Sequence, residues 1–139
     1  MATTSLFVTL PVNDIDASTS FYTALGYTLN PLYSGENSAC VVLSDSLYIM
    51  LGSKSHVAAL TDRELLDPGS QVQVLHALEV ESREEVDDLA DKAAAAGGVA
   101  LEPQDFGFMY ARDIHDPDGH GWQLTWMDPA AAETGTPDE

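Results

Sequence analysis

The chain has 139 residues, 45% of them hydrophobic, and its 23 acidic and five basic side chains give a formal net charge of −18. That length suits one compact domain with a sizeable core, and no apolar run is long enough to span a bilayer. The charge argues against nucleic acid and anionic membrane surfaces as partners, and residues 1–12 lack the basic and apolar regions of a secretory signal. The single cysteine, Cys40, lies in the apolar run from Ala39 to Leu43. It excludes an intramolecular disulfide, fits a reducing cytoplasm and is expected as a buried structural thiol.

Residues 5–12 alternate, with Leu6, Val8, Leu10 and Val12 on one face and Ser5, Phe7 and Thr9 on the other. Asp14 then offers an N-cap to a helix whose apolar stripe is Ile15, Ser18, Phe21, Tyr22 and Leu25, and Gly26 ends it. Three strands are expected at about 27–34, 38–44 and 47–52. Residues 53–70 read as a connection, with Thr61-Asp62-Arg63-Glu64 able to start one short helix.

The pattern then returns. Val72, Val74, His76, Leu78 and Val80 alternate with Gln71, Gln73, Leu75 and Ala77, and Ser82-Arg83-Glu84-Glu85 forms a capping box. A helix with Val86, Leu89, Ala90 and Ala93 inward runs to Gly97-Gly98. Strands are expected at about 99–104, 108–115 and 120–127, the last two joined by a turn at Asp116-Pro117-Asp118-Gly119. The tail, residues 129–139, is rich in Ala, Gly, Thr, Pro and acids and is expected to be disordered.

Leu10-Pro11-Val12 matches Leu78-Glu79-Val80, and the run from Asp45 to Leu51 matches that from Asp118 to Leu124. The chain is therefore read as two tandem βαβββ units at a period of roughly 70 residues. Unit 1 covers about 5–52 and unit 2 about 71–127, within one α+β domain over 1–128. Each unit is a sheet with a helix on one face, so the other face must be covered or left as a cleft.

On these motifs the sequence resembles the vicinal oxygen chelate superfamily, which includes glyoxalase I, bleomycin-resistance proteins, fosfomycin-resistance proteins and extradiol dioxygenases. The resemblance rests on Leu10-Pro11-Val12-Asn13-Asp14, Ser18, Phe21-Tyr22, Leu25-Gly26-Tyr27 and Asp116-Pro117-Asp118-Gly119. Ser82-Arg83-Glu84-Glu85-Val86-Asp87, Ala95-Ala96-Gly97-Gly98, the run Asp105 to Tyr110 and Asp118-Gly119-His120 are similar to the branch labelled predicted lactoylglutathione lyase. The resemblance implies curved mixed sheets that pair to form a ligand cleft with helices outside, commonly in a homodimer. It also implies a divalent metal on up to four ligands from the first and last strands of each unit. The matching positions here hold Phe7, Met50, Leu75 and Gln123. A benzene ring, a thioether and an aliphatic group cannot anchor a hard cation, and one amide is not a site.

His76 has the parity of the helix-packed face, and His115 and His120 flank the turn, where with Asp116 and Asp118 they offer at most a surface cation site. No nucleophilic triad and no Gly-rich phosphate loop can be argued. The cleft set is Phe7, Thr9, Met50, Leu75, Gln123 and Thr125. Tyr110 and Arg112 are included with it, and their side depends on whether their strand carries a bulge. Arg112 has two readings, a bidentate partner for an anionic ligand or a surface ion pair with one of the many acids. Trp122 and Trp126 share parity with Leu124 and are expected in the core.

These residues describe a mostly apolar site for a small organic ligand, expected to hold no metal or other cofactor. The competing expectation is a lyase of the lactoylglutathione lyase type, in which a divalent metal polarises the substrate and a carboxylate moves a proton.

Overall fold

The computed structural model describes residues 2–134. The chain divides into two compact units, Met1–Val72 and Gln73–Glu139. In the first, β1 (Leu6–Val12), α1 (Ile15–Ala24), β2 (Thr28–Leu29), β3 (Ser38–Val42), β4 (Leu47–Ser53) and the short α2 (Lys54–Ala58) follow in order. The sheet order is β1-β4-β3-β2, with β1 and β4 parallel and the other pairs antiparallel. In the second unit β5 (His76–Glu79), α3 (Arg83–Ala95), β6 (Val99–Ala100), β7 (Gln104–Asp105), β8 (Met109–His115) and β9 (Gly121–Met127) repeat the plan. Its order is β5-β9-β8-β6, with β7 also on β8 and β5 parallel to β9. Both sheets are mixed because a strand–helix–strand crossover gives a parallel pair and a tight hairpin an antiparallel one.

The local signals explain the helices. Asp14 Oδ1 accepts from the N–H groups of Asp16 (2.9 Å) and Ala17 (3.2 Å), satisfying two amides that α1 leaves open. Ser82 Oγ accepts from Glu85 N–H at 3.1 Å, while Glu85 reaches back to Glu81 N–H at 2.9 Å. Gly26 and Gly97 follow the two helices at φ 110° and 98°, the left-handed turn that a Cβ disfavours. The inward stripes are as the periodicity predicts. Ser18, Phe21 and Tyr22 are buried on α1, and Val86, Leu89, Ala90 and Ala93 on α3. Against them lie Leu10, Val12, Ile49 and Leu51 in the first sheet and Ile114, Trp122 and Leu124 in the second. Each large apolar side chain so buried contributes about 1.5–3 kcal/mol. Cys40 is fully buried, and desolvation pushes its thiol pKa up, as suits a structural cysteine.

Several boundaries differ from expectation. The strand expected over 27–34 stops at Leu29, where Asn30 caps a 3-10 turn over Pro31–Tyr33 by accepting from Leu32 N–H. The one expected over 99–104 is cut into β6 and β7, with Pro103, which has no N–H for a ladder, between them. Residues 71–75 alternate but lie outside the sheet, and β5 begins only at His76. The connection forms its helix at Lys54–Ala58, capped by Ser53, rather than at Thr61, whose hydroxyl accepts from Arg63 N–H. In place of a disordered segment from residue 129, a short helix α4 (Pro129–Thr134) follows Asp128, which accepts from Ala130 N–H. The rest of that expected tail, 135–139, lies outside the described residues.

In unit 1 helix α2 folds against the sheet where β4 ends. A Cβ at Gly52 would stand 2.8 Å from Val57 Cγ2 and 3.2 Å from His56 Cδ2. The substitution Gly52→Ala is therefore expected to destabilise the chain by about 1–3 kcal/mol through overpacking. Thermal denaturation checks this, and Gly52→Ala combined with Val57→Ala should recover part of the loss.

Candidate functional site

Residues opposite one another in a ladder share a face. In unit 1 the register Phe7↔Tyr48, Thr9↔Met50 and Cys40↔Met50 puts all five on the face opposite α1. Phe7 is 48% exposed and stacks on the Tyr48 ring at 4.5 Å between centroids, 14° from parallel. The expected residues Phe7, Thr9 and Met50 are thus brought onto one face, with Tyr48 added to them.

In unit 2 the turn at Asp116 decides the faces. Asp116 is buried, and its Oδ1 accepts from the N–H groups of Asp118 (3.0 Å) and His120 (2.8 Å). Its own N–H donates to His120 O. This pins the pairing His115↔Gly121, Asp113↔Gln123, Ala111↔Thr125 and, one step out of phase, Ile114↔Trp122, Arg112↔Leu124 and Tyr110↔Trp126. Leu124 and Trp122 are core residues, so Arg112 and Tyr110 belong to the face that carries α3.

The contacts agree. Tyr110 donates its hydroxyl to Asp87 Oδ1 at 2.8 Å, and Arg112 reaches the same oxygen at 3.2 Å, Asp91 at 3.8 Å and the Leu101 carbonyl at 3.1 Å. Asp87 and its charge hold the Tyr110 pKa above the ordinary phenol value. Tyr110 and Arg112 are therefore corrected out of the ligand set. No bulge reverses their strand, and Arg112 is the ion-pair partner of helix acids rather than an anion receptor.

The same register uncovers a residue that the sequence reading passed over. Asp113 stands across from Gln123 on the face opposite α3, with Ala77 on the other side of Gln123. Asp113 Oδ1 is shielded from solvent and has no hydrogen-bond partner among the described residues. Leu75, Ala77, Asp113, His115, Trp122 and Gln123 help line a hollow of about 130 Å³. His115 packs its ring over Gly121, where a Cβ would lie 3.6 Å from Cδ2. Thr125 keeps the expected parity but is buried, and its hydroxyl donates to Leu78 O at 3.3 Å. Leu75 lies just before β5, 83% exposed. The sequence motif alone did not give this: counting outward from Asp116-Pro117-Asp118-Gly119 pairs 113 with 122, and the observed pairing with 123 needs His120 inside the turn, where Asp116 N–H donates to His120 O.

These donors do not make a site for the divalent metal that the resemblance implies. Phe7, Met50 and Leu75 carry no ligating oxygen or nitrogen, and Thr9 beside Met50 and Ala77 beside Gln123 do not repair that. Asp113 and Gln123 could supply two oxygens, but among the described residues no group of three or more His, Cys, Asp or Glu side chains is placed to hold a metal ion. Asp116, the acid of the turn, already accepts two amides.

The remaining charges on the α3 face are equally committed. Arg83 binds Asp105 through both terminal nitrogens (2.8 and 3.2 Å), donates to Gly107 O and stacks over the Tyr110 and Trp126 rings at about 5 Å. His76 lies 5.0 Å from the Trp122 ring, on the helix-packed parity expected of it.

Residues 4–44 match the bleomycin resistance protein-like N-terminal family. No curated protein matches the chain. Among solved structures, a hypothetical protein of S. aureus is 26% identical, with a TM-score of 0.76 over 91% of this chain and 95% of that one. A glyoxalase/bleomycin resistance protein/dioxygenase family enzyme of Burkholderia phytofirmans is 19% identical, with a TM-score of 0.71 over 87% and 96%. A bleomycin resistance determinant encoded on the transposon Tn5 is 18% identical, with a TM-score of 0.63 over 90% and 98%.

Two outcomes follow from the charge placement. Removing Arg112 as Arg112→Met should cost about 1–3 kcal/mol in chemical denaturation, because it strips charge-assisted hydrogen bonds from Asp87. It should leave small-molecule binding intact. Second, the Arg83 guanidinium, and after it the Gly107 N–H, hold Asp105 below the ordinary carboxylate range. A depressed folded-state pKa adds stability above the unfolded value near 4, lost as pH falls through the folded one. Melting temperatures measured downward from about pH 5 should therefore fall less steeply for Asp105→Asn than for the unaltered chain.

Proposed function

We propose, from the premise that this chain carries the fold of the glyoxalase/bleomycin resistance/dioxygenase superfamily, that it binds and holds a small organic molecule without metal chemistry. The observation that carries the reading is the face opposite α3. There a small, largely apolar hollow is lined by one carboxylate, one amide and the two histidines His76 and His115, the mixture of walls and sparse polar groups that fixes a ligand's orientation. The face opposite α1 adds the exposed Phe7–Tyr48 stack, with Thr9 and Met50 beside it.

Neutral or cationic ligands fit these surfaces best. Asp113 and Glu79 share the face opposite α3, while Arg83 and Arg112 are spent on the other. The charge of −18 attracts cations from a distance and repels anions. A basic glycopeptide of the bleomycin kind satisfies both requirements. No helix among the described residues is long and apolar enough to cross a membrane. The homodimer and the cytoplasmic location expected from the sequence belong to the same proposal.

A lactoylglutathione-lyase-type isomerase is the second reading. It draws one point of support, since Asp113 beside Gln123 supplies a carboxylate able to accept a proton. Its metal lacks ligands.

Purified protein separates the two. With a basic glycopeptide at about 100 times its dissociation constant, binding should add about 2.7 kcal/mol of stability, read as a rise in melting temperature unaffected by chelator. Turnover of a hemithioacetal that is lost on chelation and restored by zinc or nickel would overturn the metal-free reading.

A further inference from the structure

We propose that Asp113 is the recognition residue for a positively charged, hydrogen-bond-donating head group, an amidinium or ammonium, seated in the hollow on the face opposite α3. The assignment rests on the ligand-binding reading above and names the chemistry that site selects. Asp113 lines the hollow, and its Oδ1 is cut off from solvent without gaining a donor. A shielded carboxylate oxygen that receives no N–H or O–H in exchange for water keeps its acceptor capacity open to a ligand's donor. The other acids near β8 have found partners: Asp105 has Arg83, Asp87 has Tyr110 and Arg112, and Asp116 has two amides of its own turn.

The environment specifies a cation. Gln123 faces Asp113 across the ladder with an amide that can donate or accept, and Glu79 lies farther along the same face. The Arg83 and Arg112 guanidinium groups, which could have neutralised Asp113, hold acids on the α3 side instead. Rotation about the carboxylate torsion, which is broad and two-fold, lets either Asp113 oxygen meet a donor. A hollow of about 130 Å³ takes a head group rather than a whole drug-sized molecule. The exposed Leu75 and the small Ala77 leave apolar surface beside it for the ligand's body. An N⁺–H···O⁻ contact in this half-buried setting is stronger than a neutral one, so charge rather than shape should dominate selection.

Titration of the full-length, ¹⁵N-labelled chain with benzamidinium and with neutral benzamide tests this. Benzamidinium should move the amide signals of Ala77, Asp113 and Gln123 and bind at least about tenfold more tightly than benzamide, a difference of about 1.4 kcal/mol. In Asp113→Asn that preference should vanish, while the melting temperature holds, because the Oδ1 acceptor has no hydrogen bond within the described residues to lose. Ala77→Met, which fills the hollow and leaves the charge in place, should weaken both probes. Equal affinities for the two probes, signals that move elsewhere, or a preference that survives in Asp113→Asn would overturn the assignment. Glycopeptide binding unchanged by Asp113→Asn would sink this assignment and leave the ligand-binding reading standing. Benzamidinium seated at Asp113 in a chain that ignores the glycopeptide would do the reverse.

Discussion

The register of one hairpin governs what unit 2 can do. Asp116 spends a buried carboxylate oxygen on two backbone amides of its own turn, and that bond pattern leaves β8 and β9 a single pairing. Because side chains alternate, a slip of one residue would send every side chain of β8 to the opposite face. The observed pairing seats Ile114 against the helix-packed core and delivers Tyr110 and Arg112 to α3. By the same step it delivers Asp113 to the far side, opposite Gln123. The acid of the turn, Asp116, is thus structural, and Asp113, which lines the hollow, lies three residues before it.

Charge is scarce on one side of the ledger, and its distribution follows from that. With five basic residues against 23 acids, each guanidinium has many acceptors to choose among. Arg83 and Arg112 both go to the α3 side, where Asp105, Asp87 and Asp91 stand next to aromatic surface from Tyr110 and Trp126. Delocalised guanidinium groups suit that position, since they can pair with a carboxylate and stack on a ring at once. The consequence for the opposite face is a carboxylate, Asp113, whose Oδ1 has no hydrogen-bond partner among the described residues.

The two units solve one architectural problem with different side chains. Both lay a capped helix on a mixed sheet and close it with a glycine in a left-handed turn. On the side away from that helix they diverge. Unit 1 has the Phe7–Tyr48 stack and, where β4 ends, a short helix pressed onto Gly52. Unit 2 has Asp113, Gln123 and His115 around a hollow. Duplicated folds keep the inward stripe because packing demands it, whereas the other face is free to change chemistry.

The sequence by itself determined the repeated strand–helix–strand plan, the inward stripes of both helices and their caps. These are local properties: periodicity and capping chemistry can be read from neighbours along the chain. Tertiary structure alone decided the rest. It ended the strand at Asn30 and cut another beside Pro103, left 71–75 out of the sheet, and moved the connecting helix from Thr61 to Ser53. It also settled which way Tyr110 and Arg112 point. Parity along a strand is legible, but the absolute side depends on a partner's register and on where a bulge falls, and neither is a property of one strand. For that reason the sequence left Arg112 with two readings, and Asp113, its immediate neighbour, is the one the fold turns toward the hollow.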